Sequence, residues 1–222
     1  MVKQVIWSSM IDYPKNISTV IFFDKCNLNC EYCYNRELYN MSILDFNIDI
    51  LPKLLERKEF INHIILSGGE CTINNEFQEI LDVLYEKGFK IGIHTNGTRP
   101  DIIEKNIQKI SFLGIDVKTT LDKYYMLSNE KIDSKSIEKT IKLAIDNNKE
   151  YQCRTTIYPD IVDENDCINI AKYLKKLGVQ EYTIQQYYAI GSAKQIESYS
   201  IDKLKKIQDN CNKIIKTNLK TK

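Results

Sequence analysis

Histidine is almost missing from this 222-residue chain: there are two, and neither stands at the spacing of a zinc finger. Net charge is almost missing too. The 31 Lys and Arg against 30 Asp and Glu leave a formal +1, which gives no overall drive toward nucleic acid or an anionic membrane. Long apolar runs are absent. The longest, around residues 20–23 and 64–66, fall far short of the roughly 20 residues that cross a bilayer. The first ten residues hold one lysine and no extended apolar stretch, so they do not read as a signal peptide. No low-complexity linker and no short internal repeat divides the chain, and the reading is one domain over residues 1–222 in the reducing cytoplasm. Cysteine, by contrast, is present seven times. In a reducing compartment these are thiols or metal ligands rather than disulfides.

The apolar pattern alternates between short strand-like runs and helical periods. Residues 19–23, 63–67, 90–94, 114–118, 151–157 and 182–186 read as strands, brief and rich in β-branched and aromatic side chains. Phe77, Ile80, Leu81 and Leu84 follow the helical i, i+3, i+4, i+7 rule, with Gly88 as a stop. Ile137, Ile141, Ala144 and Ile145 do the same after Ser134, an N-cap residue type, and Ile168, Ala171, Leu174 and Leu177 repeat the pattern before Gly178. A last helix runs from about Ile201 into a lysine-rich tail, residues 213–222, read as a solvated helix face or a frayed end. Strand and helix in alternation imply right-handed βαβ units on a parallel sheet. About six units make an α/β partial (β/α)6 barrel with outer helices, because a closed (β/α)8 barrel takes about 250 residues.

Directly after the first of these strands comes Cys26-Asn27-Leu28-Asn29-Cys30-Glu31-Tyr32-Cys33, a C-x3-C-x2-C run. A structural zinc site calls for four closed ligands, and a ferredoxin calls for a fourth nearby cysteine. The next one, Cys71, is remote in sequence. Three thiolates on one tight loop hold three irons of a cubane and leave the fourth open to a ligand from outside the protein. Ser67-Gly68-Gly69-Glu70 ends the second strand, where two glycines permit a close backbone approach that a Cβ would block. In residues 114–118, strand alternation puts Gly114, Asp116 and Lys118 on one face and Ile115 and Val117 on the other. Charges facing inward near the C-terminal end of a barrel strand sit where this architecture keeps its active site. A simple ion pair is the competing reading of Asp116 and Lys118. By the same alternation Arg154 faces inward with Gln152 and Thr156, and Cys153 faces the helices as a small hydrophobe.

These residues closely resemble the radical S-adenosylmethionine (SAM) superfamily, whose signature is C-x3-C-x-aromatic-C with Tyr32 as the aromatic. The resemblance implies a [4Fe–4S] cluster on Cys26, Cys30 and Cys33. It also implies SAM chelating the open iron through its amino and carboxylate groups, and one-electron cleavage to a 5′-deoxyadenosyl radical. Gly68, Gly69 and Glu70 look like the Gly-Gly-Glu motif that meets the cofactor's amino group. Asp116-Val117-Lys118 resembles the Asp-x-Lys motif whose lysine helps bind its carboxylate. Arg154-Thr155-Thr156 and Thr95-Asn96-Gly97 match further cofactor-site motifs, so Tyr32, Asn96, Asp116, Lys118 and Arg154 join the expected SAM site. No side chain is assigned as catalytic beyond the cluster and SAM.

Together with Ile11-Asp12-Tyr13-Pro14, Asn35 and Lys123-Tyr124, these motifs look like the anaerobic ribonucleoside-triphosphate reductase activating proteins and their pyruvate formate-lyase activase cousins. This kinship implies a glycyl-radical enzyme as partner, most directly an anaerobic ribonucleoside-triphosphate reductase. It also implies a low-potential electron donor such as flavodoxin or ferredoxin, and no nucleic-acid or membrane partner. The absence of a second cysteine-dense region fits a small activase without auxiliary clusters. Two readings stay open: a radical SAM enzyme modifying a small molecule or peptide, and a non-catalytic iron–sulfur electron carrier.

The sequence departs from these relatives in two places. His94 stands where they carry an aspartate that helps bind a monovalent cation beside the cofactor, so that cation site is not carried over. The ring can serve as a neutral hydrogen-bonding group. Cys71 follows Gly-Gly-Glu, where proline is frequent, and is read first as packing, with a redox role as the alternative. Cys167 and Cys211 are read as structural, and His63 as edge or surface structure. Residues 185–191 are the natural place for the barrel mouth, where Gln185, Gln186, Tyr187 and Tyr188 either line the opening or pack as a strand end.

Overall fold

The computed structural model describes residues 1–128, 132–133, 135–189 and 196–221. One eight-stranded sheet organises them: β1 (Val2–Tyr13), β2 (Asn16–Phe23), β3 (His63–Gly68), β4 (Lys90–Thr95), β5 (Ile110–Asp116), β6 (Glu150–Ile157), β7 (Glu181–Gln186) and β8 (Lys216–Lys220). The strands lie in sequence order, β1 antiparallel to β2, and six parallel pairings then join β2 to β8. The helices are α1 (Leu51–Arg57), α2 (Phe77–Glu86), α3 (Pro100–Asn106), α4 (Lys135–Asp146), α5 (Glu164–Lys176) and α6 (Ile201–Asn212). The fold is α/β with a mostly parallel sheet.

Near-continuous apolar runs are what a parallel strand needs when both of its faces are covered. In β3, Ile64 and Leu66 join the large core between sheet and helices. Ile65, between them, points the other way into a small cluster with Tyr13, Val20 and Phe112. Gly92 of β4 leaves room in that layer, since a side-chain carbon there would stand 2.5 Å from Ile65 Cδ1. Phe22 packs on this plug and lines the cavity above it, so the plug is the floor of the site.

On the outer face, α2 buries Phe77, Ile80, Leu81 and Leu84, and α4 buries Ile137, Ile141 and Ala144, as the helical period predicts. The Ser134 cap lies outside the described residues. The buried stripe of α5 is rotated from the expected one. Cys167, Ile170, Ala171 and Leu174 face the core, while Ile168 and Leu177 are half-buried. A capping box of Asp163 and Asp166 starts this helix.

Two strands were not expected. β1 carries Ile6, Met10 and Ile11 exposed, so it lacks the apolar density that marks the inner strands. The lysine-rich tail is the clearer correction: α6 ends at Asn212 and the chain re-enters the sheet as β8. Ile215 and Thr217 are buried, and Thr217 N–H donates to Asn212 Oδ1 at 2.7 Å, turning the chain out of the helix. The strand predicted over residues 114–118 instead runs Ile110–Asp116, because Ile110 and Phe112 are core residues and Lys118 lies past the ladder. Truncation after Ile215 removes every β7–β8 pair, and the expected result is a melting temperature lower by roughly 5 °C or more. An unchanged melting temperature would restore the frayed-tail reading of this segment.

Candidate active site

A cavity of about 290 Å3 opens at the C-terminal ends of the strands, within reach of small-ligand size. Its wall includes Cys26, Cys30 and Cys33 from the loop after β2, Gly68 and Gly69 at the end of β3, His94 and Asn96 at the end of β4, Asp116 ending β5 with Lys118 just beyond it, and Arg154 of β6. Residues scattered over 129 positions of sequence, from Cys26 to Arg154, thus converge on one space, which is what the C-terminal face of such a sheet provides.

The cysteine loop is pinned from several directions. Asn27 exchanges hydrogen bonds across the cavity rim: its Oδ1 accepts from Asn96 Nδ2 at 2.9 Å and its Nδ2 donates to Thr98 Oγ1 at 2.8 Å. Asn29 N–H donates to the Leu127 carbonyl at 2.7 Å, and Arg36 Nη2 donates to the Cys30 carbonyl at 2.9 Å. Asn35 Nδ2 donates to the Gly68 carbonyl at 2.5 Å. Tyr32 is buried, its ring stacked on Tyr158 at 4.9 Å and its hydroxyl 3.4 Å from the Lys118 carbonyl oxygen.

The two glycines do permit a close backbone approach, and the partner in that approach is protein. Gly68 has φ +112°, and a Cβ there would stand 2.2 Å from the Phe23 backbone; one on Gly69 would stand 2.3 Å from the Lys25 carbonyl oxygen. What they permit is the close approach of β3 to the root of the cysteine loop, sealed by Gly69 N–H to Phe23 O and Glu70 N–H to Lys25 O. The Glu70 side chain turns away from the cavity. It is fully buried and accepts from Thr72, Thr95 Oγ1 and the Asn96 N–H, the last at 2.6 Å. Its carboxylate therefore braces the ends of β3 and β4, and Glu70, unlike Gly68 and Gly69, does not line the cavity.

Charge on the opposite wall is arranged around Asp116. Its Oδ2 accepts from Lys118 Nζ at 2.8 Å and its Oδ1 from Arg154 Nε. Burial alone would raise the Asp116 carboxyl, but Arg154 and Lys118 outweigh it and hold the group well below the usual carboxylate range. Burial likewise opposes the Lys118 charge, and Asp116 reverses that. Two cations against one carboxylate leave a surplus positive charge facing the thiols. Burial pushes the Cys26 thiol up to about 12 and raises that of Cys30, with Lys118 opposing the rise at both. Metal binding therefore releases protons here.

Donors for a single metal ion must converge at about 2.0–2.3 Å from one point, and among the described residues no three His, Cys, Asp or Glu do so. Three thiols on separate corners of a cubane have no such need. One loop offering three sulfurs and no fourth protein donor fits a cluster with an open iron. Cys153 faces the outer core, fully buried, as the strand alternation predicts. Cys71 is buried with its Sγ 3.7 Å from the His94 carbonyl oxygen, and burial keeps its thiol protonated. Cys167 and Cys211 lie in the core. His63 is half-buried, with Tyr13 edge-on at 4.6 Å. Gln185 lines the cavity and Tyr187 is packed against Tyr158 at 5.0 Å, whereas Ile190 and Gly191 lie outside the described residues. Asn27 and Lys220 of the site were not anticipated. Asn27 carried a weak signal, an amide inside the cysteine loop; Lys220 had none, being one of many tail lysines.

His94 yields a pH prediction. Burial, and then Arg154, pull its pKa from 6.5 to about 3. Between these values the unfolded chain binds a proton that the folded chain does not. His94 thus contributes stability that is fully present above about pH 6.5 and is lost as pH falls toward 3, by at most about 1.4 kcal/mol per pH unit. His94→Gln is expected to flatten the acid limb of the stability curve measured by denaturant titration between pH 7 and 4.5. An unchanged slope would show that His94 is not the buried neutral group.

The sequence matches the radical SAM superfamily over residues 20–174. A Methanocaldococcus jannaschii protein assigned as a glycyl-radical enzyme activating enzyme is 38% identical over 201 residues, covering 84% of this chain and 80% of its own. The pyruvate formate-lyase-activating enzyme of Clostridium pasteurianum is 27% identical over 210 residues, covering 90% of this chain and 87% of its own. Among solved structures, Streptococcus suis SuiB bound to S-adenosylmethionine superposes with a TM-score of 0.64 at 17% identity. That match covers 91% of this chain but 51% of SuiB, a likeness of fold. The match spans the cysteine loop, the Gly-Gly turn and the charged wall alike, and the chain belongs to the radical SAM superfamily, whose cofactors are a [4Fe–4S] cluster and S-adenosylmethionine.

Proposed function

We propose that this protein is a glycyl-radical enzyme activating enzyme, and that its target is an anaerobic ribonucleoside-triphosphate reductase or a close relative of one. The observation that carries the reading is the 38% identity to an activating-enzyme relative across 84% of the chain, with the cysteine loop set in a cavity that opens at the strand ends. The motif set Asp12-Tyr13-Pro14, Thr95-Asn96-Gly97, Asp116-Val117-Lys118 with Lys123-Tyr124, and Arg154-Thr155-Thr156 supports the narrower choice of target.

When bound, the cluster and SAM supply one-electron cleavage of the sulfonium and a 5′-deoxyadenosyl radical able to abstract a glycine Cα hydrogen. The chain's own residues do the rest. Cys26, Cys30 and Cys33 hold three irons and leave the fourth for the cofactor. Lys118 and Arg154 offer positive charge to its carboxylate; Asp116 keeps Lys118 charged and aims both. The backbone at Gly68 and Gly69, with Asn96, borders the space for its amino end. Tyr32, clamped between Tyr158 and the Lys118 carbonyl, lines the cavity beside the three cysteines that would hold the cluster. The apolar plug below excludes water from the floor, where a radical would otherwise be exposed to it. A low-potential donor, flavodoxin or ferredoxin, supplies the electron.

Anaerobic incubation of the reconstituted protein with SAM, a strong reductant and a candidate reductase is expected to give 5′-deoxyadenosine together with a glycyl-radical doublet by electron paramagnetic resonance. SAM cleavage that never yields a radical on any glycyl-radical enzyme would overturn the assignment of target. Lys118→Ala is expected to weaken SAM binding by roughly tenfold or more, the scale of a charged hydrogen bond, with iron content per chain unchanged. Unaltered affinity would remove Lys118 from the cofactor site.

A further inference from the structure

The wall formed by the ends of β4, β5 and β6 departs from what the resemblance implied. His94 Nε2 lies 3.0 Å from the Asp12 carbonyl oxygen and 3.3 Å from Arg154 Nη1. Gly114 stands opposite: a side-chain carbon there would come within 2.6 Å of His94 Cδ2 and 3.3 Å of Arg154 Cζ. The missing Cβ is what lets the imidazole and the guanidinium share one layer. Arg154 in turn holds Asp116 through Nε, and Lys118 takes the other carboxylate oxygen.

This donor set does not fit the monovalent cation expected beside the cofactor in relatives with aspartate at position 94. Sodium and potassium are hard cations held by oxygen, whereas the imidazole offers nitrogen. Both Asp116 oxygens already receive cationic N–H groups. Any ion placed among them would face Arg154 and Lys118, with Lys220 also lining the cavity. The ring itself is neutral because burial and Arg154 disfavour its protonation, so it adds no negative charge to attract an ion.

We infer that Arg154, seated by His94 and Gly114, supplies the positive charge that an alkali cation would bring, so that this site binds SAM without sodium or potassium. The inference rests on the cavity being the cofactor site and is independent of which enzyme is activated. His94 acts here as a positioning residue: its Nε2–H donates to the Asp12 carbonyl oxygen, and the ring so fixed packs beside the guanidinium that reaches Asp116.

The test is SAM binding to the reconstituted protein, without a partner, at constant ionic strength in potassium, sodium or choline chloride. Equal dissociation constants, within about twofold, are expected. A gain of more than about threefold in either alkali salt would overturn the inference. Failure to bind SAM in every salt would overturn the cofactor-site reading beneath it. As a second measurement, Arg154→Met is expected to lose roughly tenfold or more in affinity and to regain part of it on addition of guanidinium ion. Undiminished affinity in that variant would also sink the inference.

Discussion

A buried carboxylate that never enters the cavity holds the site together. Glu70 is fully buried and receives hydrogen bonds from Thr72, Thr95 and Asn96, which tie the end of β3 to the end of β4. Burial raises the pKa of the Glu70 carboxyl, and four hydrogen-bond donors around its oxygens oppose that rise. Asn96, fixed by Glu70 through its N–H, passes the constraint on to Asn27 through its side chain. Asn27 sits between the first two cysteines. The cysteine loop is thereby registered against the sheet by a chain of three side chains, with the glycine pair closing the same joint from the backbone. Ligands on a loop are precise only if other residues hold that loop.

Across the cavity, the same economy of charge appears in another form. Asp116 is held between Lys118 and Arg154, and neither cation is free to turn toward solvent. Burial by itself disfavours the charged forms of Asp116 and Lys118. Contact with each other, and Arg154 beside Asp116, keep these two ionised in a fixed arrangement. One surplus positive charge then faces the thiols and the space before them, suiting a ligand that carries a carboxylate. The neutral His94 contributes no charge to this balance and sets the geometry instead.

How much of this was legible follows from where each constraint is written. The inner strands and the faces of α2 and α4 carry dense periodic apolar residues, and strand alternation placed Asp116, Lys118 and Arg154 inward and Cys153 outward. Spacing within eight residues exposed the cysteine loop. The edge strands were not legible, because their sequences, with Met10 and Ile11 exposed in β1 or Lys216, Asn218 and Lys220 alternating with Thr217 and Leu219 in β8, look like any polar segment. Long-range pairs such as Asn27 with Asn96, or Lys220 with the Ile11 carbonyl at 3.4 Å, leave no local pattern at all. The rotated stripe of α5 has a local cause: Cys167 counts as a hydrophobe in the core, and a pattern seeded on Ile168 misses it by one position.

The glycine pair shows what a close backbone approach, read from the motif, is for. Read alone, Gly68-Gly69 says that backbone approaches closely there, without saying what approaches it. In three dimensions a Cβ on either residue collides with Phe23 or Lys25, so the glycines serve first the approach of two strand ends. The cofactor-facing role is then a consequence of that joint, since the strand ends must meet before any backbone edge can border the cavity. Gly114 follows the same logic on the far wall, where the space it vacates is filled by His94 and Arg154 and not by solvent. In both places a glycine makes room for protein first, and the shape left to a ligand is set by what moved in.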